Sequence, residues 1–414
     1  MDWLRRDADE IVRAGIKAVL PDEAVIRALK EMKMPAGKLI LVAAGKAAWQ
    51  MARAAINTVK VDAGIVITKY DHAINALPGI ACYEAGHPVP DQNGFDATEK
   101  AIELAGNLSE GDMVLFLLSG GGSALFESPL ITGEELQDIT KQLLACGADI
   151  VEINTVRKRL SRVKGGRFAE ICSPAKVFTI ILSDIIGDPL DMIASGPAYP
   201  DSSTCMDALY IVKKYDLKLT EKAMKLLHHE TPKSLDNVTT MVTGSVRELC
   251  KAVADKCTEL GYKPVILTDC LDCEARDAGR MLAEKLIENA DCNKKLAFIA
   301  GGETVVHVTG TGLGGRNQEI ALAAAPLISG LEAAVFSFGS DGTDGPTDAA
   351  GGYADGDSLR LLNESGWDVE AVLADNDAYH ALESVGGLLV TGPTGTNVND
   401  AAVALLYAKA ELNT

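Results

Sequence analysis

The chain reads as an α/β protein of two domains, each a mainly parallel sheet flanked by helices. Three observations lead to that fold class. Short apolar runs of strand length recur along the 414 residues, and they alternate with stretches of helical character. A polar, proline-containing segment, HHETPKSLDN at 228–237, interrupts two series of such alternations. Strands buried on both faces are continuous hydrophobes, and helices between them imply parallel neighbours.

In order, the strand-length runs are LILVAAG ending at Gly45, GIVIT at 64–68, MVLFLLSGGG at 113–122 and VFTIILSD at 177–184. VTTMVTGS, PVILTD, LAFIAGG, AAVFSFGSDG and LLVTGPTG follow. Thr132 and Glu135 form a capping box ahead of the stripe Leu136, Ile139, Leu143, and Arg276 to Glu288 is amphipathic. These features divide the chain into a Rossmann-like domain at 1–236 and a second α/β domain at 237–414.

With 39 basic against 58 acidic residues and a formal net charge of -19, nucleic acid and anionic membrane are poor partners. The opening MDWLRRDADEI has acids where a secretory peptide needs an apolar stretch, and the run near Ile320 to Leu331 is too short to span a bilayer. A cytoplasmic location is expected. Nine cysteines, an odd number, fit reduced thiols.

Against that acidity, NTVRKRLSRVKGGR at 154–167 concentrates six cations. On a helix, Val156, Leu160 and Val163 form an apolar stripe while Lys158 and Arg162 project opposite, and Gly165 with Gly166 would end it near Lys164. Asn154, Lys158, Arg162 and Lys164 are therefore candidates to hold an anion, with a solvated helix face as the alternative.

Ligands of open α/β sheets sit beyond the carboxyl ends of the strands, so the loops there carry the search. Ser119, Gly120, Gly121, Gly122 and Ser123 follow a strand, and three glycines let several N–H groups approach one phosphate or carboxylate. Lys46 follows another strand as a point charge. Asp184 and Asp188 lie on a strand-end loop, where carboxylates suit magnesium or a turn.

Gly310, Gly312 and Gly315 match the dinucleotide fingerprint after a short strand expected at Thr304 to Thr309, but no acidic residue clearly ends the next strand. Arg316 and Asn317 offer a planar donor and an amide at a helix start, suited to a moving phosphoryl group. Asp341, Asp344 and Asp348 lie among glycines on a nucleotide-side or metal-side loop, and Thr391, Thr394, Thr396 and Asn397 precede a helix expected near Val398. Neither a Walker A motif nor the protein-kinase set occurs.

Taken together, AAGKAAWQMA, LLSGGGSALFESP, NTVRKRLSRVKGGRFA, LSDIIGDPLDMIASGP, GGETVVHVTGTGLGGRNQEIALAAA and SDGTDGPTDAAGG make the chain resemble the glycerate 2-kinase family, whose C-terminal part is called the MOFRL domain. The likeness runs in order over nearly the whole chain. It implies transfer of the ATP γ-phosphoryl group to the C2 hydroxyl of D-glycerate with a divalent metal, and an active site in the cleft between two α/β domains. Lys46 and Arg316 match the family's two basic catalytic positions.

The resulting expectations are Lys46 and Arg316 on the phosphoryl group, Asp188 as base and Asp184 on Mg2+. The 119–123 loop, the 154–164 cations, Glu303 and Asn317 are assigned to substrate or phosphate. Gly312, Gly314, Gly315, Asp341, Asp344, Thr394, Thr396 and Asn397 are assigned to nucleotide. Expected partners are D-glycerate and ATP, with a homo-oligomer left open. The rival readings are an NAD(P)-dependent hydroxypyruvate reductase and a non-catalytic sugar-acid sensor.

Overall fold

In a computed structural model that describes residues 2–407, the apolar runs assemble into two six-stranded sheets. The first contains β1 (Leu39–Ala44), β2 (Ala63–Lys69), β3 (Ile80–Ala85), β4 (Met113–Leu118), β5 (Lys176–Leu182) and β6 (Val238–Gly244), in the order β3-β2-β1-β4-β5-β6. The four pairings from β3 through β5 are parallel. β1 and β4 are buried along their whole length, which is why they read as unbroken hydrophobes. Leu41, Ala43, Leu115, Leu117 and Ile180 pack with Trp49, Met51 and Ala55 of the helix Ala48–Thr58.

The second sheet contains β7 (Lys263–Leu271), β8 (Leu296–Gly302), β9 (Ala333–Gly339), β10 (Gly351–Asp355), β11 (Leu388–Leu389) and β12 (Asp400–Leu406), in the order β11-β10-β9-β12-β8-β7. β7 and β8 are parallel, whereas β12 runs antiparallel to both β8 and β9, and β10 antiparallel to β9 and β11. Four strands therefore share one direction, and β10 and β12 are reversed between them. Alternate residues of this sheet face two cores. Ala297, Ile299, Phe336, Val403 and Leu405 meet the helices Asp2–Ala18 and Val246–Glu259. Phe298, Ala300, Val335, Ala402 and Ala404 meet Ala275–Glu288 and Arg316–Ala324.

Two compact units follow, one of Pro21–Ser183 with Asp188–Thr243, the other of Met1–Leu20, Asp184–Gly187 and Gly244–Thr414. This division differs from a cut at 236/237. The polar loop there is real, but β6 beyond it still belongs to the first sheet. The first helix joins the second unit because Leu4, Ala8, Ile11 and Ile16 are buried against Leu249, Val253 and the sheet.

Two local expectations are corrected. The helix expected near Val398 is β12, a fully buried strand paired on both sides. The strand expected at Thr304 to Thr309 is irregular apart from one bridge between Val305 and Glu274. The Thr132 cap forms, its side chain accepting from the Glu135 N–H, but the Glu135 carboxylate turns to the Thr220 hydroxyl instead of back to residue 132.

Candidate active site

In the first sheet, connections leave β1 and β4 in opposite lateral directions, so the loops after these two neighbours border the crevice where open α/β sheets bind ligands. Lys46 and the glycine loop occupy those positions. The Lys46 N–H donates to the Gly120 carbonyl at 2.9 Å, and the Ala47 N–H donates to Ser119 Oγ at 3.0 Å. Gly45 has to be glycine, because its φ is +127° and a Cβ there would lie 2.2 Å from Ser119 Oγ. The Lys46 side chain is exposed and pairs with no carboxylate among the described residues. The amides of Gly120 and Gly121 donate to no backbone carbonyl among those residues.

Beyond the loop, Phe126 packs against Phe116 and Phe168, with ring centroids 5.3 and 5.0 Å away. The Lys164 ammonium donates to the carbonyls of Ser123 (2.8 Å) and Phe126 (3.2 Å), and Arg157 also donates to Ser123 (3.2 Å). Glu127 lies 3.5 Å from both cations. Burial pushes the Lys164 ammonium down to about 8 against the pull of Glu127. Ser123 Oγ lies 3.1 Å from Ser195 Oγ, which donates to Asn154 Oδ1 at 2.9 Å. These bonds fix the loop from behind.

The structure therefore deploys the basic segment differently from an open anion site. Its helix, Ile150–Arg159, ends before the glycine pair, and Gly165 and Gly166 adopt φ of +59° and +85° ahead of the next helix, Arg167–Cys172. Lys158 is buried and donates to Asp201 at 3.0 Å, and Arg159 is buried near Asp201 and Glu230. Arg162 pairs with Glu99 at the surface, and Arg167 donates to three backbone carbonyls. A buried charge is tolerated only with partners, and Glu127, Asp201 and Glu230 provide them. Lys158 and Lys164 are internal braces rather than groups facing a ligand.

Asp184 is half-buried two residues beyond β5. Asp188 has a φ of +50° and a sealed Oδ1 without a hydrogen-bond partner. No described group of three or more His, Cys, Asp or Glu could hold a metal ion.

In the second unit a pocket of about 710 Å3 gathers Glu303, Gly312, Gly314, Gly315, Arg316, Asp341, Asp344 and Asn397, all named from the sequence, with Thr304, Glu319 and Asn376. Arg316 starts its helix, and its Nε donates to Asp400 at 2.5 Å while Nη1 donates to Glu303 at 2.8 Å. Burial disfavours its charge, but the Asp400 hydrogen bond and charge outweigh that and hold the guanidinium above its usual value. Burial pushes Asp400 itself up to about 6.

Asp344 serves the helix start, accepting the N–H groups of Asn317 (3.1 Å) and Gln318 (2.9 Å). Gly315 is glycine to admit it, since a Cβ would lie 2.3 Å from the Asp344 Cγ. Burial raises the Asp344 carboxyl even against these donors. Asn317 is buried, bonded to Asp344 and Ser337. Gly310 and Gly312 are required for packing, because a Cβ on either would strike Asp375 or Asp377 at 2.3–2.4 Å. Thr394 bonds Ser340, while Thr396 donates to the Val19 carbonyl and holds the end of the first helix.

Sequence reasoning missed Ser195, Glu127, Asp400 and His87. Only Asp400 and Ser195 had a local signal, in the strand-end TNVND and in the ASGP turn after Asp188. His87 follows β3, and a Cβ on Gly121 would lie 3.0 Å from its Nε2.

Comparisons with known proteins agree with this architecture. Residues 7–228 match the model described as a domain of unknown function, DUF4147, and residues 296–400 match the MOFRL family. A D-glycerate 2-kinase from Thermotoga maritima is 50% identical over 97% of this chain and 98% of its own. The crystal structure of a glycerate kinase from Thermotoga maritima superposes with a TM-score of 0.93 at 49% identity, covering 98% of this chain and 100% of that one. A putative hydroxypyruvate reductase from Agrobacterium vitis is 38% identical, over 98% of this chain and 96% of its own.

Proposed function

The chain belongs to the glycerate 2-kinase family, and we propose that it is an ATP-dependent kinase that transfers the γ-phosphoryl group to the C2 hydroxyl of D-glycerate, giving 2-phosphoglycerate and ADP. The observation that carries this reading is the free Lys46 ammonium bonded through its backbone to the Gly120 loop at the switch point of the first sheet. A point charge beside unpaired amides suits a small carboxylate and a phosphoryl group in transit.

On this reading Lys46 neutralises charge on the moving phosphoryl group, and the amides of Gly120 and Gly121 receive the glycerate carboxylate. Arg157 and Lys164 hold that loop rigid from below. Arg316 acts with the nucleotide. Its guanidinium is fixed in a fork of two carboxylates, so it meets the triphosphate already oriented. The pocket lining around it carries Glu303, Glu319, Asp341 and Asp344, an environment that repels bare phosphates and suits a triphosphate chelated by a divalent ion.

Magnesium takes one or two protein carboxylates and fills its shell with water and phosphate oxygens, so Glu303 and Asp341, which line the pocket beside Arg316, would hold such an ion. Bound there, the ion supplies charge neutralisation of the phosphates.

A phosphorylation assay with D-glycerate, ATP and Mg2+, with the product resolved by 31P NMR as the 2- or the 3-phosphate, tests the proposal. Formation of 3-phosphate alone, or no transfer, overturns it. The reductase reading draws on the name of the Agrobacterium relative, but Gly310 and Gly312 pack on residues 375–377 without a preceding strand. Steady NADH oxidation with hydroxypyruvate would favour that reading instead.

A further inference from the structure

The proposed reaction leaves one role without a convincing holder, the group that takes the proton from the attacking hydroxyl. Asp188, the sequence candidate, makes no bond to Lys46 or to the 119–123 loop among the described residues, and one of its carboxylate oxygens is sealed. We propose that the imidazole of His87 accepts the proton of the glycerate C2 hydroxyl while Lys46 and the Gly120–Gly121 amides hold the substrate's anionic groups. The inference rests on the phosphoryl-transfer reading above.

Placement carries the argument. β1, β2, β3 and β4 are parallel, so the turn after β3 emerges on the same edge of the sheet as Lys46 and the glycine loop. Gly121, in a left-handed conformation with φ +84°, is where the three meet. A Cβ there would lie 3.0 Å from both Nε2 and Cδ2 of His87 and 3.3 Å from Cγ of Lys46. The imidazole edge and the lysine stem thus converge on the loop whose amides are free. His72 and His380 each have an Nδ1 contact to an oxygen, whereas neither ring nitrogen of His87 has a protein hydrogen-bond partner among the described residues. The ring is half-buried, which leaves it reachable by substrate.

The charged surroundings keep the ring in the form a base requires. Lys46, Lys69 at the end of β2 and His72 in the turn beyond it all face His87 with positive or titratable groups. Asp91 and Glu84, carboxylates a few residues away along the chain, are engaged elsewhere. Asp91 accepts from the Tyr70 hydroxyl at 2.6 Å and the Gly94 N–H at 3.0 Å, and Glu84 accepts from the N–H groups of His72 and Ala73. Burial, followed by Lys46, Lys69 and His72, holds the imidazole below its usual range, so it is neutral at neutral pH with a lone pair available.

In the step itself the C2 oxygen forms a bond to the γ-phosphorus as its proton passes to His87. The bond from that phosphorus to the bridging oxygen breaks, and its electron pair leaves on ADP. The imidazolium then returns its proton to solvent.

The test uses the full-length enzyme and His87→Gln, with His87→Asn as a second variant and thermal melts to establish that each is folded. Loss of a general base predicts a fall in kcat of roughly a hundredfold with little change in KM for glycerate. Wild-type kcat/KM should fall on the acid side through a pKa below the ordinary histidine value of about 6.5, and that limb should vanish in the variants. The wild-type limb is measured without any substitution, and its absence overturns the proposal. So does a folded variant with native kcat, or one whose loss lies in KM with the acid limb retained. If the wild-type enzyme phosphorylates glycerate and the variants do so equally, only the role of His87 is lost. A wild-type chain without that activity overturns the functional reading as well.

Discussion

The basic segment of the first unit and the cations named as catalytic differ in what their charges face. Lys158, Arg159 and Lys164 are buried and paired with Asp201, Glu230 and Glu127, while Lys46 stands exposed and without a carboxylate partner among the described residues and Arg316 is held by Asp400 and Glu303 beside an open pocket. Density of positive residues in the sequence therefore marks a brace, and single cations at strand and helix ends mark the candidate chemistry. The reason is energetic. A cluster of cations near a protein interior needs matching carboxylates merely to fold, which leaves it nothing to offer a ligand.

The largest effect expected tests the brace. Lys158→Ala leaves Asp201 buried without its main cation and should cost roughly 3–5 kcal/mol of stability, read as a shift in the urea midpoint, with kcat per folded molecule little changed. A folded variant of normal stability that lost glycerate binding would invert the comparison. Next come Lys46→Ala and Arg316→Ala, each expected to lower turnover by about two orders of magnitude or more; the melting curve should stay close to native for Lys46→Ala and fall for Arg316→Ala, which leaves Asp400 buried without its cation. Near-native turnover in either would remove its role.

A smaller effect belongs to Gly121→Ala, whose left-handed backbone should cost about 1–2 kcal/mol and whose methyl would press on His87 and Lys46. The loss of turnover should exceed the loss of stability if the loop is where substrate sits. Arg162→Ala should cost less than about 1 kcal/mol, because its pair with Glu99 is solvent-screened, and it should leave glycerate KM unchanged. A marked rise in KM would restore Arg162 as a ligand for substrate.

The sheets were largely legible because buried strands leave continuous apolar runs, and Lys46, the glycine loop and the residues lining the Arg316 pocket were legible because they punctuate those runs. What escaped was set by partners far along the chain. DAAVALL contains good helix formers, yet it is a strand because β8 and β9 lie on either side of it. TVVHVT has the β-branched content of a strand but, among the described residues, pairs through one bridge alone. Nothing between 154 and 167 reveals that Asp201 and Glu127 will enclose those cations, and a single histidine before a proline carries no pattern until Gly121 is seen beside it.

The helix Asp2–Ala18 precedes the first unit along the chain but completes a core built from residues beyond 243, since its apolar side is covered by Leu249, Val253, Phe336, Val403 and Leu405. During translation it must wait on the ribosome while 21–243 emerge and fold. A nascent chain stalled just after 243 should resist protease across the first sheet and be cut within residues 2–18.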